Sequence, residues 1–218
     1  MIIYPAVLTD NLETAQKQLE LANKLKVSGV QLDVIDGFYA DNLTLTPADC
    51  IQLDFGKLSV DFHLMVDEPM DYLHELIEFK QQIPARAVIG QVEKMTYQKD
   101  FVQEAKRYGF LAGLSLDLFT PFEQIETEIF EELDILQIMG VRAGFQNQAF
   151  NPQALDLVRQ AVRFKASAGH NLAVIVDGGV KLDNISQIKQ AGADAVVVGS
   201  QLWQSEDIKS TFQALVKA

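Results

Sequence analysis

The sequence predicts a (β/α)8 barrel, an α/β fold of the TIM type, occupying residues 1–218 as a single domain. Three observations point there. Short β-type runs alternate with segments of helical period along the whole chain. Several of those runs are almost continuously apolar, as strands buried on both faces must be. No linker, low-complexity stretch or long charge block interrupts the alternation. An open doubly wound sheet is the competing arrangement of the same elements.

Taken in order, the first strand is expected over Ile2–Leu8. Asp10 with Glu13 resembles a capping box, ahead of a helix that carries Leu12, Ala15, Leu19 and Ala22 on one face. The next strands are expected over Gly29–Val34, Leu58–Met65, Ala87–Val92, Leu111–Leu116 and Ile135–Met139. Gly109 falls where a helix C-terminal glycine belongs, just before Leu111–Leu116. Asn151 and Pro152 form an N-cap and N1 pair ahead of Leu155, Val158 and Val162. The seventh strand is expected over Leu172–Val176, and Gly192 closes the helix before the eighth, Ala193–Val198.

Composition narrows the function. Apolar residues make up 48% of the chain, enough for a sizeable core. No apolar run approaches the roughly 20 residues that span a bilayer, and MIIYPAVLTD lacks the basic start of a signal peptide. Cys50 is the single cysteine, so no internal disulfide is available and a reducing, cytoplasmic setting is expected. A net charge of −12 opposes non-specific binding to nucleic acid or anionic membrane. A bound phosphate must therefore be held by local dipoles, a metal or specific cations.

In a barrel of this kind the active site lies at the C-terminal ends of the strands. Asp33 and Asp36 end the second, His63 lies near the end of the third, and Gln91 and Glu93 end the fourth. Asp117 follows the fifth, Arg142 follows the sixth, Asp177 ends the seventh, and Gly199 and Ser200 close the eighth. VDGGV (Val176–Val180) and VVGSQ (Val197–Gln201) put small residues between strand and helix. Gly178, Gly179 and Gly199 either permit tight turns or let backbone N–H groups approach a phosphate, which in these barrels recurs after strands seven and eight. Asp33, His63 and Asp177 either cap helices singly or converge as a metal or acid/base site. His74 and His170 read as ordinary surface residues.

At these positions the sequence resembles the ribulose-phosphate 3-epimerase family, nearly end to end. PAVLTDN (Pro5–Asn11) is similar to its P-S-I-L-S-A-D opening, and LDVIDGFYADNLT (Leu32–Thr44) to its V-D-V-M-D-G-x-F-V-P-N-L-T segment. VDFHLMVDEP (Val60–Pro69) resembles D-V-H-L-M-V-x-x-P, and MGVRAGFQNQAF (Met139–Phe150) resembles M-T-V-N-P-G-F-G-G-Q-x-F. VDGGV and GADAVVVGS (Gly192–Ser200) complete the order. The resemblance implies a ribulose-phosphate-binding barrel that epimerises carbon 3 of a ketose phosphate by 1,1-proton transfer through an enediolate. Asp33 and Asp177 would be the acid/base pair and, with His63, the ligands of one divalent metal ion (Mn, Fe, Zn or Mg). Met65 and Met139 would line the site beside Gly144, Gly178, Gly179, Gly199 and Ser200. The family also implies a homo-oligomer.

Departures fall on ligand-contacting positions. Gln31 replaces a metal histidine; its amide oxygen is a weak, harder ligand, which turns preference from zinc toward manganese, magnesium or ferrous iron. The remaining histidine and two carboxylates suffice for a metal, or hold none. Ala6 replaces a serine, Ile35 a methionine and Gln91 a histidine. Gln146 and Asn147 replace two phosphate-facing glycines, and Arg142 either compensates as a phosphate partner or points outward. Two further readings follow: a non-catalytic phosphosugar-binding barrel, and a lyase or decarboxylase on the same scaffold. The second would want D-x-K-x-x-D, and Ile35 stands at its lysine.

Overall fold

The structure, a computed structural model, describes residues 1–167 and 171–218. Eight parallel strands follow one another round a closed barrel: β1 (Ile2–Val7), β2 (Gly29–Ile35), β3 (Ser59–Met65), β4 (Ala85–Gln91), β5 (Leu111–Leu116), β6 (Ile135–Met139), β7 (Ala173–Asp177) and β8 (Ala195–Val198). β8 pairs back onto β1, with Ile2 opposite Ala195, so the open doubly wound alternative is excluded. The apolar runs behave as expected of strands covered on both faces. Every residue of β2 and β6 is buried.

Helices pack outside the barrel: α1 (Leu12–Leu25), α2 (Pro47–Cys50), α3 (Pro69–Glu78), α4 (Gln98–Arg107), α5 (Ala154–Ser167), α6 (Ile185–Ala191), α7 (Ser200–Trp203) and α8 (Ile208–Lys217). Ala15, Leu19 and Ala22 form the buried stripe of α1. Its N-cap is Asn11 rather than Asp10: Asn11 Oδ1 accepts from the Thr14 N–H at 2.8 Å. Gly192, at φ 104°, ends α6 in the left-handed region, and Gly109 takes φ 77° just beyond α4. Helix α5 begins at Ala154, later than the Asn151–Pro152 pair suggested. Asn151 Oδ1 instead accepts from the Gln153 N–H in the turn that leads into it. Between β5 and β6 two 3-10 turns, Phe122–Gln124 and Thr127–Ile129, stand in place of a helix.

The barrel interior is filled from several strands by Tyr4, Ala6, Ala87, Ile89, Ile135, Ile175, Ala195 and Val197. At its N-terminal end the β3–β4 register shifts between Val60 and Asp61, opposite Arg86. The guanidinium donates to Asp61 Oδ1 at 2.8 Å and to the Tyr4 hydroxyl at 2.9 Å. Asp61 is 2% exposed, so this pairing is what makes a carboxylate tolerable there. His74 is exposed on α3, whereas His170 lies outside the described residues. Among the described residues no helix is long and apolar enough to cross a membrane.

Candidate active site

Strand alternation and parallel register bring the polar strand ends together. Asp33 of β2 pairs in register with His63 of β3, while Asp177 closes β7 opposite Met139 of β6. His63 is fully buried, and Asp33 and Asp177 are buried above it. One donor atom from each lies within 4.8 Å of the others. His63 Nδ1 stands 3.1 Å from Asp33 Oδ1 and 3.3 Å from Asp177 Oδ2. Gln31, two residues before Asp33 on the same strand face, places Nε2 among them. That nitrogen donates to Asp33 Oδ1 at 2.8 Å and to Asp177 Oδ2 at 2.6 Å. Gln137 Nε2, from β6, donates to the same Asp177 oxygen at 3.2 Å.

The electrostatics follow from that crowding. Burial pushes the Asp33 carboxyl up from its ordinary range, its hydrogen bond to His63 opposes this, and the Asp177 charge adds to the rise. Burial alone would disfavour a charged His63. Hydrogen bonds to Asp177 and Asp33, with the charges of both, outweigh it and push the ring up to about 9.

Two carboxylate oxygens and one imidazole nitrogen at these separations are spaced like neighbours in one coordination shell, where bonds of roughly 2.0–2.2 Å put ligand atoms about 3.3 Å apart. The group could hold a metal ion. The Gln31 nitrogen, a donor, here partners the carboxylates.

Above this cluster opens a cavity. Asp33, Asp177, Met65 and Met139 line it together with Gly144, Gly178, Gly179, Gly199 and Ser200. Gly178 and Gly179 take φ of 97° and 69°, and a Cβ on Gly178 would come within 2.5 Å of Val141. Arg142 is not among the lining residues. Its neighbours Val141 and Ala143 turn inward and are buried, which leaves Arg142 exposed on the other side of the chain. Instead the loop after β6 contributes Gln146, Asn147 and Gln148. Gln146 Nε2 donates to the Leu8 carbonyl and Asn42 Nδ2 to the Gly144 carbonyl, tying this loop to those after β1 and β2. Gly144, at φ 109°, allows the approach: a Cβ there would sit 2.3 Å from that of Ala40.

Gln137 was not singled out from sequence. Its signal was present, because an amide inside the apolar strand ILQIM must find a partner or bear a desolvation cost.

A closed barrel with two carboxylates and a histidine gathered at the C-terminal mouth of its strands has the plan of a (β/α)8 enzyme. Comparison with known proteins narrows the class. The chain belongs to the ribulose-phosphate 3-epimerase family, whose family model, described as "Ribulose-phosphate 3 epimerase family", matches residues 2–203. It is an isomerase of the epimerase type. Ribulose-phosphate 3-epimerase from Serratia marcescens is 32% identical over 212 residues, covering 95% of this chain and 98% of that protein. The enzyme of the same name from Escherichia coli K12 is 30% identical over 216 residues, covering 98% and 94%. Solved structures agree on the fold: a mutant tryptophan synthase alpha-subunit from Pyrococcus furiosus superposes with a TM-score of 0.69 at 16% identity, over 99% of this chain and 95% of that one. Phosphoribosyl anthranilate isomerase from Thermus thermophilus does so with 0.64 at 15% identity, over 100% and 99%.

Proposed function

We propose that the chain is a ketose-phosphate 3-epimerase, acting on ribulose 5-phosphate or a ketose phosphate close to it, with Asp33 and Asp177 as the acid/base pair. The observation that carries this reading is the convergence of those carboxylates, from β2 and β7, over a buried histidine at the floor of a glycine-rimmed cavity. Asp177, its Oδ2 held by donors from Gln31 and Gln137, takes the proton from carbon 3. The C–H electron pair becomes the C2–C3 double bond, and the carbonyl pair moves onto the C2 oxygen. Asp33, whose carboxyl burial favours the protonated form, returns a proton to the opposite face, and the carbonyl re-forms. In the reverse direction the two exchange roles. Asp33, His63 and Asp177 would hold a divalent cation, which when bound stabilises negative charge on the substrate oxygens as a Lewis acid. Met65 and Met139 provide an apolar wall, and Gly178, Gly179, Gly199 and Ser200 bring backbone close to the phosphate.

The deciding experiment is turnover in deuterated water. Wild-type protein should incorporate solvent deuterium at carbon 3, and Asp177→Asn should lose on the order of a thousandfold in kcat. Full turnover by Asp177→Asn sinks the assignment. A phosphosugar-binding barrel without catalysis is favoured by one feature: the Gln31 amide partners both carboxylates with no cation needed. It predicts stabilisation by ribulose 5-phosphate with no exchange at carbon 3.

A further inference from the structure

Behind His63, on the side away from the carboxylates, lies a polar chain that the acid/base pair does not use. His63 Nε2 is 3.1 Å from the side-chain amide of Gln91, the last residue of β4, and both residues are fully buried. The direction of that amide is decided by its other neighbours. Glu93 Oε2 and the Ser115 carbonyl can only accept, so the amide nitrogen must face them, and it donates at 2.9 Å and 3.0 Å. The amide oxygen then faces Ser115 Oγ at 3.3 Å and His63 Nε2 at 3.1 Å, and both must donate to it. The opposite orientation would press the oxygen against two acceptors inside the barrel wall. Glu93 is fixed in turn, since Oε1 accepts from the Asp117 N–H at 2.8 Å and Oε2 from the Tyr39 hydroxyl at 3.2 Å. Burial and the nearby Glu93 and Asp117 charges push the Tyr39 phenol up, so it remains a donor.

We infer that Gln91, oriented by Glu93 and Ser115, is the positioning residue for His63: it holds the proton on Nε2, so that Nδ1 is the ring nitrogen presented to Asp33, Asp177 and a cation between them. An imidazole has two nitrogens, and the partner of one decides the role of the other. Gln91 does this through a neutral amide, with the carboxylate one step further back. The inference rests on the Asp33–His63–Asp177 cluster being the site proposed above.

The test reads the ring directly. The chain has three histidines, so a long-range proton–nitrogen correlation spectrum of labelled protein resolves His63. In Zn²⁺-loaded wild type, His63 should show a slowly exchanging proton on Nε2 and none on Nδ1. Gln91→Met should speed exchange of that proton and weaken Mn²⁺ binding about tenfold or more, and Gln91→His, which again offers one acceptor and one donor, should restore both. Glu93→Ala, at an exposed position that does not risk the fold, should weaken Mn²⁺ binding about threefold by loosening the Gln91 amide. A proton found on Nδ1 with Nε2 bare overturns the inference, as does wild-type Mn²⁺ affinity in both Gln91→Met and Glu93→Ala. None of these readouts uses substrate, so the inference and the epimerase reading can fail separately.

Discussion

A single amide nitrogen, Gln31 Nε2, lies 2.8 Å from one buried carboxylate and 2.6 Å from another, with His63 Nδ1 against the same pair. Each of these groups would be costly alone in this interior; together they are tolerable. The consequence appears as a pH dependence of folding in the metal-free protein. His63 rises from an ordinary value of 6.5 to about 9, because hydrogen bonds to Asp177 and Asp33 overcome burial. Folding thus raises its proton affinity. The stabilisation is complete below about 6.5 and is lost as pH rises through 9. Asp33, raised by burial, acts with the same sign, favouring the folded state most when protonated. Urea midpoints measured in chelator should therefore fall between pH 6.5 and 9, and His63→Gln should flatten the decline. A wild-type midpoint that stays level across that window would show that no charged ring is held between the carboxylates.

Where a strand hands over to a helix, polar residues compete for one cap, and the choice is settled by local geometry. Asn11 wins at the start of α1 because its Oδ1 reaches the Thr14 N–H, while its own N–H donates to Thr9 Oγ1 at 3.2 Å. Asn11→Ala should cost about 1 kcal/mol in equilibrium unfolding, and Asp10→Ala should fall within about 0.5 kcal/mol of wild type. The reverse order would return the cap to Asp10. The same contrast marks what could be read ahead. The strands were legible because doubly buried β segments write themselves as apolar runs, and their polar ends marked Asp33, His63 and Asp177 by position alone. Cap choice, the 3-10 turns before β6 and the outward turn of Arg142 were not, since each depends on which neighbour fills the inner side. The group that the Gln137 amide would meet was hidden for a related reason. That partner, Asp177, is 40 residues away and meets the amide only through the β6–β7 register.

Closure makes the barrel depend on all of its strands at once, and this has a measurable signature. A continuous cluster of buried residues runs between the sheet and its helices, and the lone cysteine, Cys50 on α2, is part of it with no exposed surface. Burial, then the Asp49 and Glu75 charges, push its thiol up to about 12, so at pH 8 the folded protein offers almost no thiolate. Labelling by a disulfide reagent must wait for an opening that exposes Cys50 to water. If α2 could peel away alone, labelling would proceed at a rate that urea barely changes, because such an opening uncovers little surface. Cys50 packs in the same cluster as Leu45, Leu53, Phe55, Leu73 and Leu76, so freeing it disturbs the α2–α3 layer and the strands beneath. The expected result is a slow rate in water that climbs steeply with urea, its slope matching the m-value of equilibrium unfolding. A shallow slope would instead identify α2 as a locally opening flap and would separate its stability from that of the barrel.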